Sequence, residues 1–384
     1  MQQFSLAGRR TEEIMSKSTT TLKQIAETAG VSITTVHRVM NGKEGCGEEL
    51  RRRIMEIAKQ QGYEANYVAS SLRKKPVHIA LIFPKGDADS HFYVQEILNG
   101  YFQEREEIEH YNIIFQEYYY PAYDMGSTAF LNFLNNIYQE KPFHYDGMVI
   151  YKEDLGEDRR YTALLNRILG KRIPVIVLEK CASETPYSCL VGPDEALAGK
   201  MAAEMMAKMV CQGGNIKVFG QELPFEDRNA AAFSEELKRR RSDLSCEVVA
   251  LKLNEEQSER IQRELTGKNA FEGIYFTCAR HTAAFLRTDL SCRQGIGAVI
   301  GSELFEESYQ ALQTDTLDAV IDKKPFSVGY KALNLLFNNI VKNEKMPVRQ
   351  SIIPRIIIQS NSYVYYRRRK ENYGGSKDFE YTIY

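Results

Sequence analysis

From Val77 onward the chain repeats a pattern that leaves few architectures open. Short runs rich in Val and Ile, "VHIALIFP", "GMVIY", "IPVIVLE", "NIKVFG", "FEGIYFT" and "IGAVIGS", alternate with amphipathic stretches such as "YVQEILNGYFQEREEI", "STAFLNFLNNIYQE", "DEALAGKMAAEMMAKMV" and "AAAFSEELKRRR". A short apolar run suits a strand covered on both faces, and the helix-length stretches supply the covers. Parallel neighbours need such crossovers, so the class is α/β with parallel sheets. The pattern fills residues 77–363. That is more than one doubly wound domain uses, so two lobes are expected.

The residues ahead of this body have a different texture. In "TLKQIAETAG", Thr21 can cap a helix with Gln24 three residues on, and Leu22, Ile25, Ala26 and Ala29 recur at helical spacing. Gly30 suits a left-handed helix end, and Ser32 can cap the next helix, whose buried side is Val36, Val39 and Met40. "GEELRRRIMEIAKQQGY" then places Leu50, Ile54, Ile57 and Ala58 on one face. Three short helices with a tight glycine turn between the first two read as helix-turn-helix. The second helix turns Thr34, Thr35, His37 and Arg38 outward. Threonine and arginine on such a helix can meet base edges in a major groove. A small bundle with a solvated polar face fits the same pattern, so these helices alone leave both readings open.

The segment "YEANYVASSLRKKP" changes that balance. Gly62, Tyr63, Asn66, Ala69 and Leu72 match, in register, the hinge pattern Gly-Tyr-x-x-Asn-x-x-Ala-x-x-Leu. Thr21, Ile25, Ala26, Ala29, Gly30, Val31, Ser32, Thr35, Val36, Arg38, Val39, Asn41 and Gly42 match the helix-turn-helix pattern that precedes it. The chain thus resembles the lactose-repressor (LacI/GalR) family of bacterial transcription regulators. It departs from the family at His37, where serine is usual, at Met40, and at Gly47, where Ser or Thr caps the third helix.

The resemblance implies a three-helix head, a hinge helix, and a two-lobed body like a periplasmic sugar-binding protein. It assigns DNA contact to Thr21, Ser32, Ile33, Thr34, Thr35, His37, Arg38 and Asn41 in the head, and to Tyr63, Asn66, Ala69 and Leu72 in the hinge. The expected organisation is a disordered extension over 1–19, a head over 20–64, hinge and linker over 65–76, an effector-binding and dimerisation body over 77–363, and a tail over 364–384. Three crossovers between lobes are expected near Cys181–Leu190, Ser302–Glu307 and Ile321–Phe326.

Charge agrees with a DNA-facing N-terminus. Thr21–Pro76 holds ten Lys or Arg against six Glu, a net of +4 in a chain of net −1, which leaves −5 elsewhere. A basic end on an acidic chain points toward a polyanion. "MQQFSLAGRRTEEIMSKSTT" has no apolar core of a secretory signal, and no apolar run is long enough to span a membrane. A cytoplasmic location without membrane contact is expected. The seven cysteines are scattered without a Cys-x-x-Cys pair and the six histidines lie far apart, so neither disulfides nor a metal site is expected. Cys46 reads as a small buried side chain.

Open α/β sheets bind ligands beyond the carboxyl ends of their strands. Asp87, His91, Phe92 and Tyr93 follow the first strand, Tyr151 and Glu179 follow later ones, and by resemblance Asp194 and Arg228 join them. Arginine suits hydroxyl or carboxylate groups. Each of these also fits a surface loop. Glu195 stands where the family has Asn, and Ala279, Arg280 and His281 where it often has Asn-Asp. Glu303 stands in place of an Asp, and Lys323 and Lys324 near a usual Gln. His91, Phe92, Tyr93, Tyr151, Asp194, Arg228, Arg280, Glu303 and Lys323 are therefore the candidate effector ligands. The substitutions suggest lost acidic and gained basic character, which sets an acidic effector (a uronate or sugar phosphate) beside a neutral sugar or polyol.

No Gly-rich phosphate loop, G-x-S-x-G elbow or His/Glu metal pair occurs, and "CQGGN" reads as a helix-ending turn. No enzyme activity and no cofactor are expected. The expected function is an effector-controlled repressor that binds a pseudo-palindromic operator as a homodimer. A regulator that senses no small molecule and a transporter's sugar-binding protein are the alternatives. The tail "SYVYYRRRKENYGGSKDFEYTIY", after an expected last strand, lacks heptad leucines. It is expected to be disordered or packed on the surface, with no tetramer.

Overall fold

The computed structural model describes residues 21–40, 46–61, 75–85, 91–120, 127–139, 143–152, 159–223, 226–252, 256–266, 271–293 and 295–373. The expected extension, Asn41, the hinge residues Tyr63, Asn66, Ala69 and Leu72, and Asp87 lie outside them. The chain divides into two compact units, one containing the head and one containing both sheets.

The head consists of α1 (Leu22–Ala29), α2 (Ile33–Met40) and α3 (Glu48–Gln60). Thr21 and Gln24 form the capping box, and Gly30 takes φ 67°, ending α1 with its N–H on the carbonyls of Ala26 and Glu27. Ile25, Ala26, Ala29, Val36, Val39, Ile54 and Ala58 form one buried cluster. Gln61 Nε2 donates to Thr28 Oγ1 at 2.7 Å, fastening the end of α3 to α1.

In the body, the first sheet has the order β11-β5-β4-β3-β1-β2 and the second β12-β10-β9-β8-β6-β7. The first comprises β1 (Val77–Pro84), β2 (Ile113–Tyr120), β3 (Gly147–Tyr151), β4 (Val175–Leu178), β5 (Cys189–Pro193) and β11 (Arg349–Ile352). The second comprises β6 (Gly214–Gln221), β7 (Leu244–Leu251), β8 (Gly273–Phe276), β9 (Ala298–Ser302), β10 (Ala319–Asp322) and β12 (Arg355–Ile357). All pairings are parallel except β10 with β12. The two-lobed α/β reading holds. The outer strands β2 and β7 have mixed burial, unlike the fully buried β3, β4, β8 and β9.

The passages between lobes correct two of the three expected crossovers. Cys181–Leu190 connects β4 to β5 within the first sheet, and Ser302–Glu307 follows β9 within the second. The chain leaves each sheet one strand later. It first passes at Asp194, between β5 and α7 (Glu195–Met209), whose Ala198, Ala202 and Met206 pack with Ile216 and Ile300 of the second sheet. It returns at Lys323–Lys324, inside the expected Ile321–Phe326, into α12 (Pro325–Lys342). The third passage is Ile353–Pro354, between β11 and β12.

α12 lies against α4 (His91–Glu107) at backbone contact. A Cβ on Gly329 would stand 1.8 Å from the Ile97 carbonyl oxygen, and one on Gly100 would stand 1.9 Å from that of Phe326. The last strand before the tail is β12, and after Ile358 the chain forms a helix, α13 (Gln359–Tyr373). Tyr366 of this helix stacks on Tyr309 with centroids 4.1 Å apart, within α11 (Glu306–Gln313), and Arg355 lies 3.9 Å over the Tyr365 ring.

The glycine contact makes a direct stability prediction. Gly329→Ala should destabilise the body by about 2–3 kcal/mol, because neither backbone can yield without separating the helices. Gly170→Ala, where a Cβ would meet nothing within 4 Å, should stay within about 1 kcal/mol of the wild type. Urea unfolding followed by circular dichroism measures both. Equal midpoints for the two variants would contradict the packing described.

Candidate functional site

Two sites emerge, one on the head and one between the lobes. On α2, Ile33, Thr34, His37 and Arg38 are exposed together, while Val36 and Val39 face the core. Ser32 caps the helix by accepting from Thr35 N at 3.1 Å. Its hydroxyl also lies 2.9 Å from Thr35 Oγ1, so Thr35 turns back to the cap while Thr34 faces outward. Thr21 is exposed, and its hydroxyl belongs to the α1 capping box.

The inter-lobe site begins at two glutamates in equivalent places. Glu179 directly follows β4 and Glu303 directly follows β9, the fourth strand of each lobe in chain order. Both are left-handed, at φ 69° and 67°. Each donates its backbone N–H to the next strand of its lobe, Glu179 to Val191 O at 2.8 Å and Glu303 to Ile321 O at 3.1 Å. A non-glycine residue in this conformation carries strain and needs its surroundings to hold it. Both side chains are buried, and in each Oε1 has no hydrogen-bond partner.

Glu179 Oε2 accepts from Tyr93 Oη at 2.8 Å. Burial pushes the Glu179 carboxyl up to about 7; Lys323 opposes this and Glu195 adds to it. The Glu303 carboxyl is raised well above its ordinary value by burial and then by Asp322, while its Oε2 accepts from Lys323 N at 3.0 Å.

Lys323 is buried, with Nζ 3.3 Å from Glu195 Oε1 and 3.1 Å from Thr277 O. Burial lowers its pKa, but Glu195 and Glu303 outweigh that and hold it well above the ordinary lysine value. Lys180, from the first lobe, reaches Gln221 and lies 3.5 Å from the same Glu195 oxygen. Burial pushes Glu195 up, yet Lys323 and Lys180 bring it below its usual value. Asn229 Nδ2 donates to Glu195 Oε2 at 2.9 Å, and Tyr275 Oη donates to Asn229 Oδ1 at 2.7 Å. Asp227 caps α8 (Arg228–Arg240) by accepting from Asn229 N and Ala230 N. Its carboxyl, raised by burial, is drawn lower by Lys180 and by backbone N–H groups.

This arrangement corrects the expectation of surplus positive charge. Lys323 stands within an ion pair with Glu195, so the two departures from the family pattern compensate each other. A buried cation of this kind has its partner built in. Arg280 is buried in the first turn of α10 (Ala279–Leu286). Arg228 is exposed at the start of α8, and its charge acts across the lobes on Cys181 and Tyr187.

The remaining candidates have definite places. Phe92 stacks on Phe305 of the other lobe with centroids 4.2 Å apart. Tyr151 ends β3, fully buried, with its carbonyl accepting from Tyr120 Oη at 2.8 Å. Asp194 caps α7 through Leu197 N at 3.0 Å. His91 opens α4. Sequence reasoning missed Lys180, Asn229, Asp227 and Tyr275; of these only Asp227, an N-cap before "RNAAA", carries a local signal.

The description "Periplasmic binding protein domain" matches residues 79–345, and "Bacterial regulatory proteins, lacI family" matches residues 21–66. The chain belongs to the periplasmic binding protein domain family and carries a lacI-family helix-turn-helix head. Among curated lacI-family relatives, the HTH-type transcriptional regulator MalR of Streptococcus pneumoniae is 27% identical over 208 residues, 52% of this chain and 58% of that protein. The probable HTH-type transcriptional repressor ExuR of Bacillus subtilis is 27% identical over 177 residues, 46% of this chain and 47% of that protein. The chain thus spans about half the length of these curated relatives. Among solved structures, GanP, a glucose-galactose binding protein from Geobacillus stearothermophilus, has a TM-score of 0.61 at 19% identity, covering 75% of this chain and 99% of that one. A putative LacI transcriptional regulator from Bacteroides fragilis has a TM-score of 0.62 at 15% identity, covering 76% and 99%. These likenesses show the fold. Among the described residues, no helix is long and apolar enough to cross a membrane, and no group of three or more His, Cys, Asp or Glu is placed to hold a metal ion.

The raised Glu179 carboxyl sets a pH dependence. Its folded pKa of about 7 lies above its unfolded value. The folded state therefore binds more protons between the two, and stability falls as pH rises through that window. The cost is absent below the unfolded value and complete above about 7. Glu179→Gln removes it, so the gain over wild type should be larger at pH 8 than at pH 5.5 by about 2 kcal/mol. Denaturant titrations at the two pH values test this, and an equal gain at both would refute the raised carboxyl.

Proposed function

We propose that this chain is a sequence-specific DNA-binding transcriptional repressor whose operator affinity is set by a small molecule held between the lobes of its body. The observation that carries the reading is the exposed face of Ile33, Thr34, His37 and Arg38 on the second helix of a lacI-family head. Such a face suits direct contact with base edges. The two-lobed body, with Tyr93, Glu179, Glu195 and Lys323 meeting between its sheets, supports the effector half of the proposal. The names of relatives lean the same way: ExuR is a probable repressor, and another relative, 28% identical over 201 residues, is the sucrose operon repressor of Streptococcus mutans.

We assign operator contact to Thr21, Ser32, Ile33, Thr34, Thr35, His37, Arg38 and Asn41, with Tyr63, Asn66, Ala69 and Leu72 in the hinge. Phe92, Tyr93, Tyr151, Asp194, Arg228, Arg280, Glu303, Lys323 and His91 are the effector candidates, joined by Glu179. A cytoplasmic homodimer on a pseudo-palindromic site completes the proposal, since two-fold protein symmetry matches two half-sites.

A DNA site selected by the wild-type chain from a random pool provides the test. Arg38→Ala and Thr34→Ala should each weaken binding to that site by about 1–3 kcal/mol, with the helical circular dichroism unchanged. Fluorescence anisotropy at fixed salt reads the loss, and wild-type affinity in both variants would remove α2 from the interface. Leu72→Ala should lose specific binding while retaining the salt-dependent, non-specific part, as expected of an apolar wedge in a minor groove. Normal binding and bending by that variant would overturn the hinge assignment.

A further inference from the structure

Among the groups that act on Glu179, the two cations are already shared with other carboxylates. Asp322 is matched by Arg355, whose Nε donates to its Oδ2 at 2.7 Å. Burial and Asp322 raise the Glu303 carboxyl well above its ordinary value, which disfavours its charged form. Lys323 and Lys180 are both drawn to Glu195, and Lys180 also acts on Asp227. The two lysines balance the two carboxylates Glu195 and Asp227. Glu179 remains. It is 3% exposed, one oxygen takes the Tyr93 hydroxyl, and the other has no partner. A buried carboxylate oxygen without a donor is costly, so such an atom marks a place where a donor belongs.

We propose that the effector of this body presents a protonated amine to Glu179 Oε1, on a hydroxylated scaffold such as a hexosamine, and that carboxylated and phosphorylated sugars are rejected. The inference rests on the reading of the body as a small-molecule sensor. It reverses what the two lysines suggest when they are considered without their partners. An anionic group would find Lys323 and Lys180 already held by Glu195 and would meet the unpartnered oxygen of Glu179. A neutral hydroxyl would satisfy that oxygen but leave the extra negative charge in place. An ammonium supplies the donor and the balancing charge together.

The pH dependence follows from the groups that face Glu179: Tyr93 from α4, Lys180 from the same loop, Glu195 from the start of α7, and Lys323 from the second passage. With the carboxyl titrating at about 7, the ionised fraction falls roughly eightfold between pH 7.5 and 6, and amine affinity falls with it. An aliphatic amine next to hydroxyls, with a pKa like that of an α-amino group, is about two-thirds protonated at pH 7.5, so its own gain of protons offsets part of that fall and leaves roughly a fivefold loss.

The test is calorimetric titration and thermal shift of the full-length chain with hexosamines, their N-acetyl forms, the parent hexoses, and the matching uronates and 6-phosphates. The expected result is a hexosamine bound at least tenfold tighter than its N-acetyl form and its uronate, with affinity dropping roughly fivefold from pH 7.5 to 6. Glu179→Gln should erase both the preference and the pH slope. The pH series on the wild-type chain decides the matter even if that variant does not fold. An uronate, phosphate or N-acetyl form that binds as tightly as the amine overturns this inference and leaves the sensor reading standing. If no member of any class shifts the melting curve or changes operator affinity, the sensor reading itself fails, and this inference with it.

Discussion

The three passages between the lobes are fastened to one another by polar contacts, and the geometry of the inter-lobe site depends on them. Lys323, at the second passage, binds Glu195, which opens the helix just after the first. Asp194 N, at the first, donates to Ile352 O, just before the third, at 3.0 Å. Arg355, just after the third, binds Asp322, just before the second. Each passage is thereby tied to the other two. The Lys323–Glu195 link is buried on both sides. Removing one member of such a pair leaves an uncompensated charge, at a cost of about 3–5 kcal/mol. The strands between the lobes therefore do not act as three independent tethers.

This closed set of contacts explains why the site can place strained residues. Glu179 and Glu303 hold left-handed backbones where a strand ends, and each is pinned by a main-chain hydrogen bond to the next strand. The neighbouring Gly192 permits this in the first lobe, since a Cβ there would stand 2.3 Å from the Glu179 carbonyl oxygen. The first lobe is stiffened on its outer side by the α4–α12 contact, where two glycines bring the helix backbones together.

Much of this architecture could be read from the chain before its structure, and the failures have physical causes. Wholly apolar runs such as "IPVIVLE" and "IGAVIGS" announced the central strands. The edge strands β2 and β7 escaped because one face meets solvent and breaks the apolar run, as in "LSCEVVAL". β5 ends in Gly192 and Pro193, which cut its apolar run short, and missing it shifted the first passage. The Arg- and Tyr-rich segment follows a strand, as expected, but its helix was not foreseen, because tyrosines that anchor by stacking leave no strong sequence period. At the site, Lys323 was visible as an unusual residue while its partner lay 128 positions away. The sign of the local field depends on that pairing, and pairing at such separation is set by the fold alone. The face of α2 was legible because capping and helical spacing are local.

The two lobes repeat one backbone device with unlike chemistry. At the end of β9, burial and the neighbouring Asp322 push the carboxyl of Glu303 well above its ordinary value. At the end of β4, the matching carboxyl of Glu179 titrates at about 7. The second-lobe carboxyl thus sits beside the paired charges of Lys323 and Glu195, whereas the matching first-lobe carboxyl exchanges a proton with its surroundings near neutrality. A body of nearly two-fold design thereby has a direction built into it, and near neutrality acidity acts on the first lobe's jaw.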